Sequence, residues 1–159
     1  MGGRRWSRSD RISPSRWRGD TLPAMTLSLT FSIWSEQYAP DEITERLRAP
    51  PDGTAIRGLD QAPVRYAPPK HGWRLITETE ADLPAEDLLS QLLARTQALG
   101  DALVELRTRD SELEVRITLY FDRACPDASL ELSPTIIANL ARLKALLFID
   151  RVDLSTGHH

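Results

Sequence analysis

Leu113-Glu114-Val115-Arg116-Ile117-Thr118-Leu119-Tyr120-Phe121-Asp122 alternates apolar and polar residues with one closing acid. Successive side chains of a strand point to opposite faces, so this period of two marks one buried face and one wetter face. A strand of a doubly wound parallel sheet reads differently, because helices cover both faces and the run stays apolar. The stretch from Met25 to Trp34 has the same alternation. Met25, Leu27, Leu29, Phe31 and Ile33 oppose Thr26, Ser28, Thr30, Ser32 and Trp34. Two half-buried strands predict a two-layer α+β sandwich, with a sheet of about four strands and helices packed mainly on one face.

The segments around these strands fit that architecture. Pro40 to Leu47 reads as a short helix, with proline in its first turn, acids near its start and Arg46 near its end. Residues 49–72 form a long proline- and glycine-rich connection, within which Thr54 to Gly58 is a brief extended piece. Trp73 to Glu78 is the next strand. A leucine stripe opens at Pro84 and runs through Leu88, Leu89, Leu92, Leu93, Thr96 and Leu99. After Gly100-Asp101, Leu103 and Leu106 add about two further helical turns. Ser133 caps a helix with Pro134 in first position and Ile136, Ile137, Leu140 and Leu143 on its buried side. Leu146 to Leu154 is the last strand, at first apolar on both faces.

The ends of the chain differ from its body. Residues 1–24 hold six arginines against Asp10 and Asp20, a charge of +4. The whole chain carries −3, so residues 25–159 carry −7. Without an apolar face, residues 1–24 read as a disordered basic tail or a misassigned start ahead of Met25. Residues 25–155 form a single domain and 156–159 a second tail. An acidic body is ill suited to nucleic acid, where affinity comes mainly from Lys and Arg on phosphates. No run of about 20 apolar residues predicts a membrane helix. The single cysteine, Cys125, forms no intramolecular disulfide, and residues 1–24 lack an export signal's apolar core. The expected compartment is the cytoplasm.

The succession FSIWSEQYAPDEITERLRAPPDGTAIRG, HGWRLITE, the leucine-rich helix and LSPTIIANLARLKALLFIDRVDL resembles the bacterial family known as domain of unknown function 4279. The likeness covers about Leu27 to Leu154. It is most specific at Asp41-Glu42-Ile43-Thr44 with Leu47, at Gly58, at Trp73 and at Ile149-Asp150. It implies a small bacterial α+β domain starting near Met25, and it carries over no reaction, cofactor or catalytic residue.

Chemistry-bearing residues are few. His158 and His159 are terminal, which leaves His71 as the only histidine inside the fold. No cluster supplies the three or four ligands of a zinc or iron site, and no phosphate or dinucleotide fingerprint occurs. No metal and no cofactor is expected. Glu36, Asp41, Asp150 and Asp153 lie near strand ends, where solvated termini explain them as well as a carboxylate pair does. The outer sheet face is the better candidate, because Trp34, Arg116 and Tyr120 share it and Trp, Tyr and Arg dominate binding hot spots. The expected function is therefore a non-enzymatic protein-interaction module, accessory or immunity-like, that binds a protein partner or itself. The alternative is a small-molecule binder or weak hydrolase in a cleft beside residues 49–72, using His71, Arg57 and Arg74.

Overall fold

The computed structural model describes residues 27–59, 67–79, 83–123 and 129–153. The expected tails, Met25, Thr26 and Cys125 lie outside them. Nine elements follow in chain order: β1 (Leu27–Ser35), α1 (Pro40–Leu47), β2 (Gly53–Ala55), β3 (His71–Thr79), α2 (Ala85–Gln97), α3 (Gly100–Arg109), β4 (Glu114–Asp122), α4 (Pro134–Leu143) and β5 (Ala145–Val152). The strands form one sheet in the order β2-β3-β1-β4-β5. β1 runs antiparallel to both β3 and β4, β2 antiparallel to β3, and β5 parallel to β4. Helix α4 makes the crossover that a parallel pair requires.

The α+β expectation holds, with five strands in place of about four. The additional strand, β2, has three residues and lies inside the long connection. A piece so short has no period of its own, and its pairing with Gly72 to Arg74 is what makes it a strand.

Alternation decides which face is buried. Leu29, Phe31 and Ile33 of β1 and Ile117 and Leu119 of β4 are fully enclosed. So are Trp73 of β3 and Ile43, Leu89, Leu92 and Leu106 from three helices. Helix α1 packs on β3, α2 on β1 and α4 on β5, while α3 contacts α1 and α4. Trp73 meets Phe31 edge to face at 6.4 Å, and its Nε1–H donates to Thr44 Oγ1 at 3.0 Å. A tryptophan is thus fully buried without an unpaired N–H.

Local signals set the helix limits. The Glu42 carboxylate accepts the Ala39 N–H at 2.9 Å at the start of α1, and Ser133 Oγ accepts the Ile136 N–H at 3.3 Å at the start of α4. Arg48 and Lys144 close the two helices in the left-handed region, with φ of 52° and 48°. One expectation for α4 fails. Ile136, Leu140 and Leu143 are buried, but Ile137 is 52% exposed, because at 100° per residue it has already turned off the stripe.

Candidate functional site

Among the described residues the second face of the sheet carries no helix, and register sets out its residues in rows. One row reads Gly72, Trp34, Glu114; the next Arg74, Ser32, Arg116, Leu146; the next Ile76, Thr30, Thr118, Phe148. The last reads Glu78, Ser28, Tyr120, Asp150. Trp34, Arg116 and Tyr120 do share this face, as alternation predicts, and all three are half-buried.

Trp34 is held flat. Its Nε1–H donates to Ser32 Oγ at 3.0 Å, and its ring lies over Gly72, where a Cβ would come within 2.9 Å of Cζ3. Arg116 sits one row on, its guanidinium carbon 5.7 Å from the Trp34 ring and 5.7 Å from the Phe148 ring. Contacts of this kind draw a cation to an aromatic face. Glu114 fixes the same guanidinium from the side: its Oε2 accepts from Arg116 Nε at 2.8 Å and Nη2 at 2.5 Å. Its Oε1 accepts from Lys70 Nζ at 2.8 Å. The two cations keep the Glu114 carboxyl below the ordinary carboxylate range, Lys70 contributing most, and the Glu114 hydrogen bond raises the Lys70 ammonium in return.

Beyond this cluster lies a shallow concavity of about 340 Å³, lined by Trp34, Arg74, Arg116, Tyr120, Phe148 and their neighbours. Arg74 makes no side-chain hydrogen bond or ion pair among the described residues; its stem runs across Gly53, where a Cβ would come within 2.7 Å of Nε. A smaller hollow of about 220 Å³ lies where Trp34 meets Pro68, Pro69 and Lys70. The larger concavity therefore combines aromatic walls, a guanidinium held in place and a second guanidinium still available. Among the described residues that line it there is no histidine or cysteine.

The trio His71, Arg57 and Arg74 is divided. His71 Nδ1 accepts the Arg57 backbone N–H at 3.1 Å, so the neutral ring carries its proton on Nε2. Arg57 Nη1 reaches the Glu36 carbonyl at 3.4 Å. Arg74 projects from the open face, whereas His71 pairs with Ser35 on the helix side of the sheet. The four carboxylates do not converge either. Glu36 and Asp41 follow the end of β1, and Asp150 and Asp153 lie at the opposite end of the sheet. Among the described residues no group of three His, Cys, Asp or Glu side chains is arranged to hold a metal. No helix among them is long and apolar enough to cross a membrane.

A family model described as domain of unknown function (DUF4279) matches residues 25–154. The chain belongs to that family. No curated protein and no solved structure matches it. In this DUF4279 chain, sequence reasoning found Trp34, Arg116 and Tyr120 but passed over Glu114, Lys70 and Phe148. Glu114 and Arg116 stand two apart on one strand face, a spacing that was open to reading. Lys70 and Phe148 reach the cluster only through tertiary register.

Proposed function

We propose that this DUF4279 domain is a non-enzymatic protein-interaction module, accessory or immunity-like in character and acting in the bacterial cytoplasm. Its partner docks on the open sheet face, setting an acidic group against Arg74 and an apolar side chain against Trp34 and Phe148. One observation supports this reading above the rest: Arg116 is held by Glu114 and two aromatic rings, beside an Arg74 guanidinium that has no ion-pair partner among the described residues. Side chains ordered before binding lose little entropy when a partner arrives. Trp, Tyr and Arg are also the types that carry most binding energy at interfaces.

A small-molecule ligand is the second reading, favoured by the concavity's volume of about 340 Å³. Pockets for such ligands begin at about 300 Å³. The test is capture from extracts of the native host, followed by calorimetry between the purified partner and wild-type, Trp34→Ala and Arg74→Glu chains. Each variant should weaken the complex by about tenfold or more, equivalent to about 1.4 kcal/mol. Unchanged affinity in both variants would overturn the interaction reading. A metabolite that shifts the melting temperature and loses that effect in Arg74→Glu would favour the second.

A further inference from the structure

The sheet ends in two unlike edges. One is β2, with three residues, and the other is β5, with eight. Among the described residues no strand pairs with the outer edge of β5, whose outward carbonyl at Arg151 accepts the Arg123 Nε–H at 3.0 Å. The Val152 carbonyl accepts the Arg123 N–H at 2.9 Å, so Val152 turns toward β4. Alternation then turns Leu146, Phe148 and Asp150 the same way and aims the backbone groups of Ala145, Leu147 and Ile149 outward. The edge is apolar on both flanks, with Leu146 50% and Phe148 45% exposed on the open face and Ile149 57% exposed on the helix face. Edge strands are commonly protected by charged side chains, lysine above all, or by proline. β5 has neither lysine nor proline, and its charges, Asp150 and Arg151, lie only toward its far end.

We infer that a second copy of this chain occupies this edge, the two β5 strands pairing antiparallel about a two-fold axis at Leu147. The self-complementarity of the strand singles out that centre. With the axis at Leu147, Leu146 faces Phe148 of the second copy, Leu147 faces itself and Ala145 faces Ile149. At each end Lys144 meets Asp150 of the second copy. An axis at Phe148 sets Leu146 against Asp150, and one at Ile149 sets Phe148 against Asp150. An axis at Leu146 sets Lys144 against Phe148. Only the Leu147 centre matches apolar with apolar and charge with opposite charge. The pairing is isologous and closes on itself, so it stops at a dimer. It joins two five-stranded sheets into one of ten strands with both open faces on the same side. The inference rests on the edge strand and stands apart from the partner reading above.

The full chain should elute as a dimer in size-exclusion chromatography with light scattering across a concentration series. Ile149→Pro removes an outward N–H and no inner ladder bond, a place where an edge strand accepts proline, and should yield a monomer with unchanged circular dichroism. Lys144→Glu places like charges together twice and should weaken the dimer by about tenfold, while Lys144→Glu with Asp150→Lys should restore it. If Ile149→Pro fails to fold, the charge exchange at two exposed positions decides the matter. A full chain that stays monomeric, a dimer that survives Ile149→Pro, or one indifferent to Lys144→Glu would each overturn the inference. So would a monomer that dimerises only when the chain begins at Met25, which would assign the edge to residues 1–24.

Discussion

Trp34 lies across Gly72, its paired neighbour on β3, so closely that any side chain at 72 would displace the indole. Gly72 has no positive φ to require glycine, so its absent Cβ matters only for space. Gly72→Val should therefore lift Trp34, shift its fluorescence and cost about 1–3 kcal/mol, the usual range for overpacking. A neutral or stabilising substitution, as strand propensity alone would give, would show that the indole is not seated there.

Trp34 is neither core nor plain surface. It is half-buried, bonded to Ser32 and stacked near Arg116, so Trp34→Ala should cost about 1–2 kcal/mol, against about 3–5 kcal/mol for a fully buried aromatic. Trp73→Ala, at a fully buried position, should reach the higher range. Urea melts of the two variants compare them directly, and equal losses would contradict the placement of Trp34.

Glu114 makes stability depend on acidity. Its carboxyl is held below the ordinary 4.5, first by the Lys70 hydrogen bond and then by Arg116. A lowered acid contributes stability present above its ordinary value and lost as pH falls through the folded-state value. The raised Lys70 contributes below 10.5 and loses its share as pH rises through its own folded-state value. The cluster is therefore strongest across the neutral range. Glu114→Gln should cost no more than about 1 kcal/mol at neutral pH, since the group is partly exposed. It should also flatten the decline in melting temperature as pH falls below the ordinary carboxylate range. Parallel acid limbs in the two proteins would remove Glu114 from the account.

Ser35 and Asp110 form a buried anchor where β1 ends and α3 ends. Both are fully enclosed. Ser35 Oγ donates to Asp110 Oδ2 at 2.5 Å and accepts the Tyr38 N–H at 2.8 Å, while Asp110 Oδ1 accepts the Glu112 N–H at 3.1 Å. Asp110→Ala should cost about 2–4 kcal/mol, because it orphans the enclosed Ser35 hydroxyl and removes the bond to the Glu112 N–H. Ser35→Ala and Asp110→Ala should be non-additive in a double-mutant cycle, with a coupling of about 1 kcal/mol or more. Simple additivity would dissolve the anchor.

Features governed by neighbours in sequence were legible before the structure. The alternation in β4, the proline and acids of α1, and the Ser133-Pro134 start of α4 each act within a few residues, and each forms the expected element. What stayed hidden depends on distance along the chain. The partners Ser35 and Asp110 are 75 residues apart, and Lys70 and Glu114 are 44 apart. Asp110 directly follows α3, and nothing in its immediate neighbours marks it as fully buried. Arg107, whose guanidinium donates to the Leu143 carbonyl and so closes the end of α4, gave no local sign either. In the last strand an apolar run on both faces reads alike for a covered strand and for an edge with neighbouring space, and Phe148 proved to be at the edge.

The central place of β1 in the sheet has a consequence for synthesis. Ser32 is made 84 residues before Arg116, its neighbour on β4. At about 5–20 residues per second, the ribosome needs roughly 4–17 s to cover that span. During this interval β1 can zip to β3, but its other side, destined for the middle of the sheet, stands as a bare edge on a nascent chain. Leu29, Phe31 and Ile33 also lack their paired neighbours Leu119, Ile117 and Val115 on β4. The emerging chain thus passes through a sticky stage that chaperones are suited to shield, and translation of Glu114–Asp122 is the event that ends it.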